Sequence, residues 1–159
     1  MAATDPSSDV IAELTDQARI YIARASLGNV VFKVVGFGLG RGGYDPSDFT
    51  QTEPLVPGDT ELEDKVYPDD VPLSYEPLTS TEETTATVRV YNCRVGATTI
   101  AGNADYGLGE LGLYAEVTKS DVPSEVGSIF LFAHSHFPVV CKTRRDTFYR
   151  RVIVSYGGS

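Results

Sequence analysis

Residues 110–118 read "ELGLYAEVT". Leu111, Leu113, Ala115 and Val117 alternate with Glu110, Gly112, Tyr114 and Glu116. A period of two puts one set on each face of a pleated strand, so the stretch predicts a half-buried β-strand. Its neighbours carry the same signal. Residues 29–39, "NVVFKVVGFGL", are rich in Val and Phe. In 84–95, "TTATVRVYNCRV", Thr84, Ala86, Val88 and Val90 share one face while Thr87, Arg89, Tyr91 and Cys93 share the other. "SIFLFAHSHF", 128–137, predicts a strand ended by Pro138, and "TFYRRVIVSY", 147–156, predicts the last strand.

Residues 9–27 predict an N-terminal helix, with Asp9 as N-cap and Gly28 stopping it in the left-handed conformation. Val10, Ile11, Leu14, Ala18, Tyr21, Ile22 and Ala25 would form its apolar face. That face packs either on the chain's own sheet or, through Val10, Leu14 and Tyr21, on a neighbouring copy. The pattern predicts a mainly-β single domain over 1–159: an antiparallel β-sandwich with an N-terminal α-helix, whose β core is 84–156 with 29–39. Between these lies 44–83, a long acidic, Pro-rich loop or arm expected to order against a partner.

Net charge is −9, which argues against a general binder of nucleic acid or anionic membrane. Twelve acids and one base, Lys65, fall in 45–83. Lys142, Arg144, Arg145, Arg150 and Arg151 cluster near the C-terminus with Asp146 as the one acid among them. This asymmetry predicts that the basic patch meets acidic groups, in the 45–83 segment or on a partner. The first residues, "MAATDPSSD", lack the features of a signal peptide, and no apolar run is long enough to span a membrane. Cys93 and Cys141 lack CxxC spacing, so both are expected to be reduced thiols.

Three motifs carry possible chemistry. "GLGRGG", 38–43, matches G-x-G-x-x-G, but "YDPSDF" follows where a nucleotide fingerprint needs a helix. Its glycines instead predict positive φ or close backbone approach. His134 and His136 have the spacing of two metal ligands on one strand face, with Glu110 or Asp105 as a possible third ligand. The same face would hold Phe130 and Phe132, which favours a core role for His134. Ser135 lacks a nucleophile elbow, and Cys141 with His136 is too slight a pattern to predict catalysis. No catalytic residue and no cofactor is assigned.

Four stretches, "VVGFGLGRGGYDP" (34–46), "LEDKVYP" (62–68), "DYGLGELGLYAEV" (105–117) and "LFAHSHFPVVCKT" (131–143), together resemble virion proteins of tailed bacteriophages. The nearest likeness is to tail-fibre or baseplate attachment proteins. There a "GE-G-(L/I)-(Y/W)-A" strand, matched by Gly109–Ala115, precedes a "LFA-x-x-HFP-x-x-K" strand. Leu131–Ala133, His136–Pro138 and Lys142 match the second. The resemblance implies a non-enzymatic structural protein, an adaptor at tail or neck, made in the host cytoplasm. It would assemble with itself and with other tail or neck proteins. A small metal- or carbohydrate-binding β-sandwich is the alternative, with Tyr44, Phe49, Tyr67 and Tyr75 as sugar-stacking aromatics.

Overall fold

The structure is a computed structural model that describes residues 9–83, 88–96, 106–142 and 147–155. In chain order it contains β1 (Asp9–Leu14), α1 (Asp16–Ser26) and β2 (Val30–Gly40). Five short strands follow: β3 (Tyr44–Asp45), β4 (Asp48–Thr52), β5 (Lys65–Tyr67), β6 (Glu76–Pro77) and β7 (Ser80–Glu83). The long strands β8 (Val88–Val95), β9 (Tyr106–Ser120), β10 (Ile129–Lys142) and β11 (Phe148–Ser155) complete it. The mainly-β class with one helix agrees with the sequence expectation.

One curled sheet runs in the order β5-β2-β9-β10-β1-β11-β8-β7, with β6 also beside β2. It is mixed rather than purely antiparallel: β1 is antiparallel to β10 but parallel to β11. Its two ends are joined by one stretch of chain. The Leu78 amide donates to the Val35 carbonyl of β2 (3.3 Å), and the Thr79 amide donates to the Asn92 carbonyl of β8 (3.0 Å). Consecutive residues thus stitch opposite ends of the sheet into a partly closed barrel.

The helix is shorter than predicted. Residues 9–14 form a strand in which Val10, Ala12 and Leu14 are buried, whereas Ile11 is 74% exposed. The N-cap is Thr15, not Asp9. Its hydroxyl accepts from the Ala18 amide at 3.1 Å and donates to the Leu131 carbonyl at 2.7 Å, tying the helix start to β10. At the other end Gly28 has φ +80, as expected. Val10 and Leu14 on β1 and Tyr21 on α1 lie in the chain's own core, the first of the two packings expected for that face rather than the neighbouring-copy one. Tyr21 stacks on Phe130 (centroids 4.4 Å), and Phe32 and Phe132 complete that cluster. Each such buried aromatic or aliphatic side chain contributes roughly 1.5–3 kcal/mol.

Two further expectations are corrected. β10 passes Pro138 because its pairing with β9 slips between His136 and Val140, where a missing amide costs no ladder bond. Residues 44–83 are not an open arm. They carry five short strands, three of which join the main sheet, and they bury Leu62, Lys65 and Tyr67.

Candidate functional site

A bulge in β10 decides which residues meet at the polar face of the sheet. Leu131 is opposite Tyr114, but the next paired residue, Ala133, is opposite Leu113, so Phe132 is extra. Phe130 and Phe132 therefore point toward α1, whereas His134 and His136 lie across from Gly112 and Glu110 on the other face. The expectation that these four residues share a face fails because one inserted residue inverts everything after it.

On that face Glu110 is 1% exposed, and its carboxylate accepts three backbone amides. Oε2 accepts from Gly42 (3.0 Å) and Asp64 (2.7 Å), and Oε1 accepts from Glu63 (2.9 Å). Burial raises its pKa; the three amides and the nearby His136 oppose the rise. Amide bonds to a charged acceptor are each worth roughly 1.5–3 kcal/mol. Glu110 thus works as a clamp drawing the turn at Gly42 and residues 63–64 of the acidic segment onto the sheet. Glycine at position 40 makes room: a Cβ there would lie 2.3 Å from Glu110 Oε2.

Other groups extend the clamp. The Tyr114 hydroxyl donates to Glu61, which also accepts the Leu73 amide at 2.5 Å. Lys65 donates to the carbonyls of Asp69 (2.9 Å) and Val71 (2.8 Å) and to the Ser74 hydroxyl, holding the 69–74 turn. Burial lowers the Lys65 pKa, and Glu61, Asp69 and Asp70 pull it back up. The Glu53 carbonyl accepts from Nδ1 of His136 at 2.7 Å. Tyr114 and Glu110, expected to face solvent, are covered because this segment is their second layer.

His134 is 2% exposed, and its Nε2 has no hydrogen-bond partner among the described residues. Burial lowers its pKa, while Asp59 and Glu13 favour the charged form and His136 opposes it. The rings of His134 and His136 are 6.2 Å apart. Among the described residues no group of three or more His, Cys, Asp or Glu is placed to hold a metal. Glu110 spends its oxygens on backbone amides, and Asp105 lies outside the described residues. Next to His136 is an open groove of ≈ 480 Å³, with Glu13, Thr52, Glu53 and Ser135 in its walls.

Arg151 pairs with Asp9 at 3.1 Å, across the parallel β11–β1 seam. Arg150 lies 4.6 Å over the Phe148 ring and 5.8 Å from Phe137. Four acids of 45–83 find local partners: Asp64 with Arg41 (3.2 Å), Asp69 with Lys65 (3.8 Å), Asp45 and Asp48 with the amides of Ser47 and Thr50. Arg144 and Arg145, and the Lys142 side chain, lie outside the described residues. Of the candidate sugar-stacking aromatics, Tyr67 is buried and packs on Phe37. Tyr75 lies against the backbone at Gly36. Cys93 is a free, fully buried thiol whose pKa burial raises.

The sequence reading missed the roles of Thr15, Glu61, Lys65 and Tyr114. The usable signals were Thr15, a residue type suited to an N-cap, and Lys65, a lone cation inside a stretch of twelve acids. No protein-family model, curated protein or solved structure matches the chain.

Proposed function

We propose that the chain is a non-enzymatic structural module of a tailed-phage virion, joining copies of itself and other tail or neck proteins. The carrying observation is how two of the four resembling stretches, 105–117 and 131–143, are used. They form β9 and β10, adjacent strands in the middle of the sheet, and their polar residues Glu110 and His136 are bound to backbone of the acidic segment. Groups that could have served chemistry thus hold architecture. A sugar-binding module gains little support from this arrangement, because Tyr67 is buried and the ring of Tyr75 lies over Gly36.

Mass photometry of the purified chain tests the assembly half of the proposal, and immunogold labelling of particles from cells producing the chain tests its place. Oligomers, with label on tails or necks, are the expected results. A chain that stays monomeric at micromolar concentration and labels no particle would overturn the reading.

A further inference from the structure

Between Glu53 and Asp64 the chain crosses the polar face of β9 and β10, and it is anchored along the way. The Glu53 carbonyl accepts from His136 Nδ1 (2.7 Å), and the Pro57 carbonyl accepts from the Asp16 amide at the start of α1 (2.8 Å). Glu61 accepts from the Tyr114 hydroxyl, and the Glu63 and Asp64 amides donate to Glu110. Leu62 lies over Gly112, where a Cβ would meet Leu62 Cδ2 at 3.0 Å. Gly112 is directly across from His134, so the same crossing covers that ring, which is 2% exposed.

His134 gives this cover no anchor. Its Nε2 is buried without a hydrogen-bond partner among the described residues. A neutral imidazole can stay there at the cost of one unmade bond. An imidazolium cannot, because a charge taken out of water needs a partner. The titratable groups around the ring are Glu13, its cross-strand neighbour on β1, and His136, two residues along β10. Asp59 belongs to the cover, and Glu110 and Tyr114 flank Gly112 on β9. Burial holds the His134 pKa below the ordinary 6.5; His136 acts the same way, and Asp59 and Glu13 act against it. Glu110 runs the other way. Burial raises its pKa, so proton uptake there favours the covered state. Acid therefore works against the stretch over His134 and not against the clamp at 63–64.

We propose that residues 53–62 form an acid-opened strap, which lifts from β10 when His134 takes up a proton while the Glu110 clamp holds residues 63–64 as its hinge. Lifting lets water reach Nε2. It also uncovers Leu62 and Leu131, two buried side chains that meet over Gly112. The strap's hold through His134 is complete above about pH 6.5 and is lost as pH falls below it. The inference does not depend on the virion reading.

The test is amide exchange on the full chain at about pH 7.5 and about pH 5.5, corrected for the intrinsic pH dependence of exchange. The Asp16 amide reports the Pro57 contact, and its protection should fall about fivefold or more in acid. Protection at Glu63, Asp64 and in β11 should change less than about twofold. His134→Leu and His134→Gln, neither of which titrates, should each abolish the response; two variants are used so that a misfolded one does not decide the result. Asp59→Asn removes a group that favours the charged ring and should enlarge the response. Unchanged protection at Asp16 would overturn the proposal. So would increased protection there, which would mean that Asp59 captures the charged ring and locks the strap. Equal acceleration at 63, 64 and in β11 would mean global unfolding, and a response that survives in the His134 variants would belong to another group; either result sinks the strap.

Discussion

The amide of Asp64 donates to the buried carboxylate of Glu110 at 2.7 Å, across 46 residues of sequence. That contact, with its companions at Gly42 and Glu63, joins the acidic segment to the middle of the sheet. Glu110→Ala leaves three amides without their acceptor, and a cost of about 3 kcal/mol is expected. Urea unfolding should show it. Amide exchange at 42, 63 and 64 should accelerate more than exchange in β11. Glu110→Gln, which keeps an acceptor oxygen, should fall between the two; equal loss in both variants would point to lost packing instead.

Gly40→Ala places a Cβ 2.3 Å from Glu110 Oε2 and 2.8 Å from the Asp64 carbonyl. Overpacking of this kind costs about 1–3 kcal/mol. Gly28→Ala meets no atom within 4 Å but must hold φ +80, which costs about 1–2 kcal/mol. Only the position 40 change should also speed exchange at 63 and 64. If both variants leave that exchange untouched, the close approach at position 40 does not secure the clamp.

The strand pattern was legible because Leu111, Leu113, Ala115 and Val117 alternate cleanly. The first strand was hidden because Val10 and Leu14 fit a helical period as well as an alternating one, and Ile11 broke the alternation from a solvent-facing position. Thr15 was the better signal for a helix start. The Phe132 bulge could not be read, since an inserted residue leaves no mark in one strand's composition. Nor could the burial of Glu110 and Tyr114: it depends on a segment whose many acids and prolines resemble an unpacked loop. The glycine-rich 38–43 stretch was legible, as close approach at Gly40 and a positive φ at Gly43.

Acidification should weaken the fold through His134. Its folded-state pKa lies below the ordinary 6.5, with burial the largest cause. The folded protein therefore binds fewer protons than the unfolded chain, so this contribution is complete above about pH 6.5 and is lost as pH falls below it. His134→Leu should flatten the stability profile between about pH 5 and 7 relative to the unaltered chain. Parallel profiles for the two proteins would refute the assignment.

Cys93 should be inert in the folded chain, since the thiol is buried and burial holds its pKa up. With Cys141 replaced by Ser, Ellman's reagent should label the remaining thiol at the rate of unfolding. Labelling complete within seconds under native conditions would contradict the buried placement.

Among the described residues, β1 sits between β10 and β11, the two strands latest in sequence. On a ribosome, Asp9–Leu14 emerges long before either neighbour exists, and its ladder bonds must wait for residues 129–155. The middle of the sheet is thus the last place to be completed during synthesis. Nascent chains stalled before β11 should remain open to proteases in β1, β10 and the helix between them. Commitment to the native sheet in this sense waits until residues 129–155 have left the ribosome.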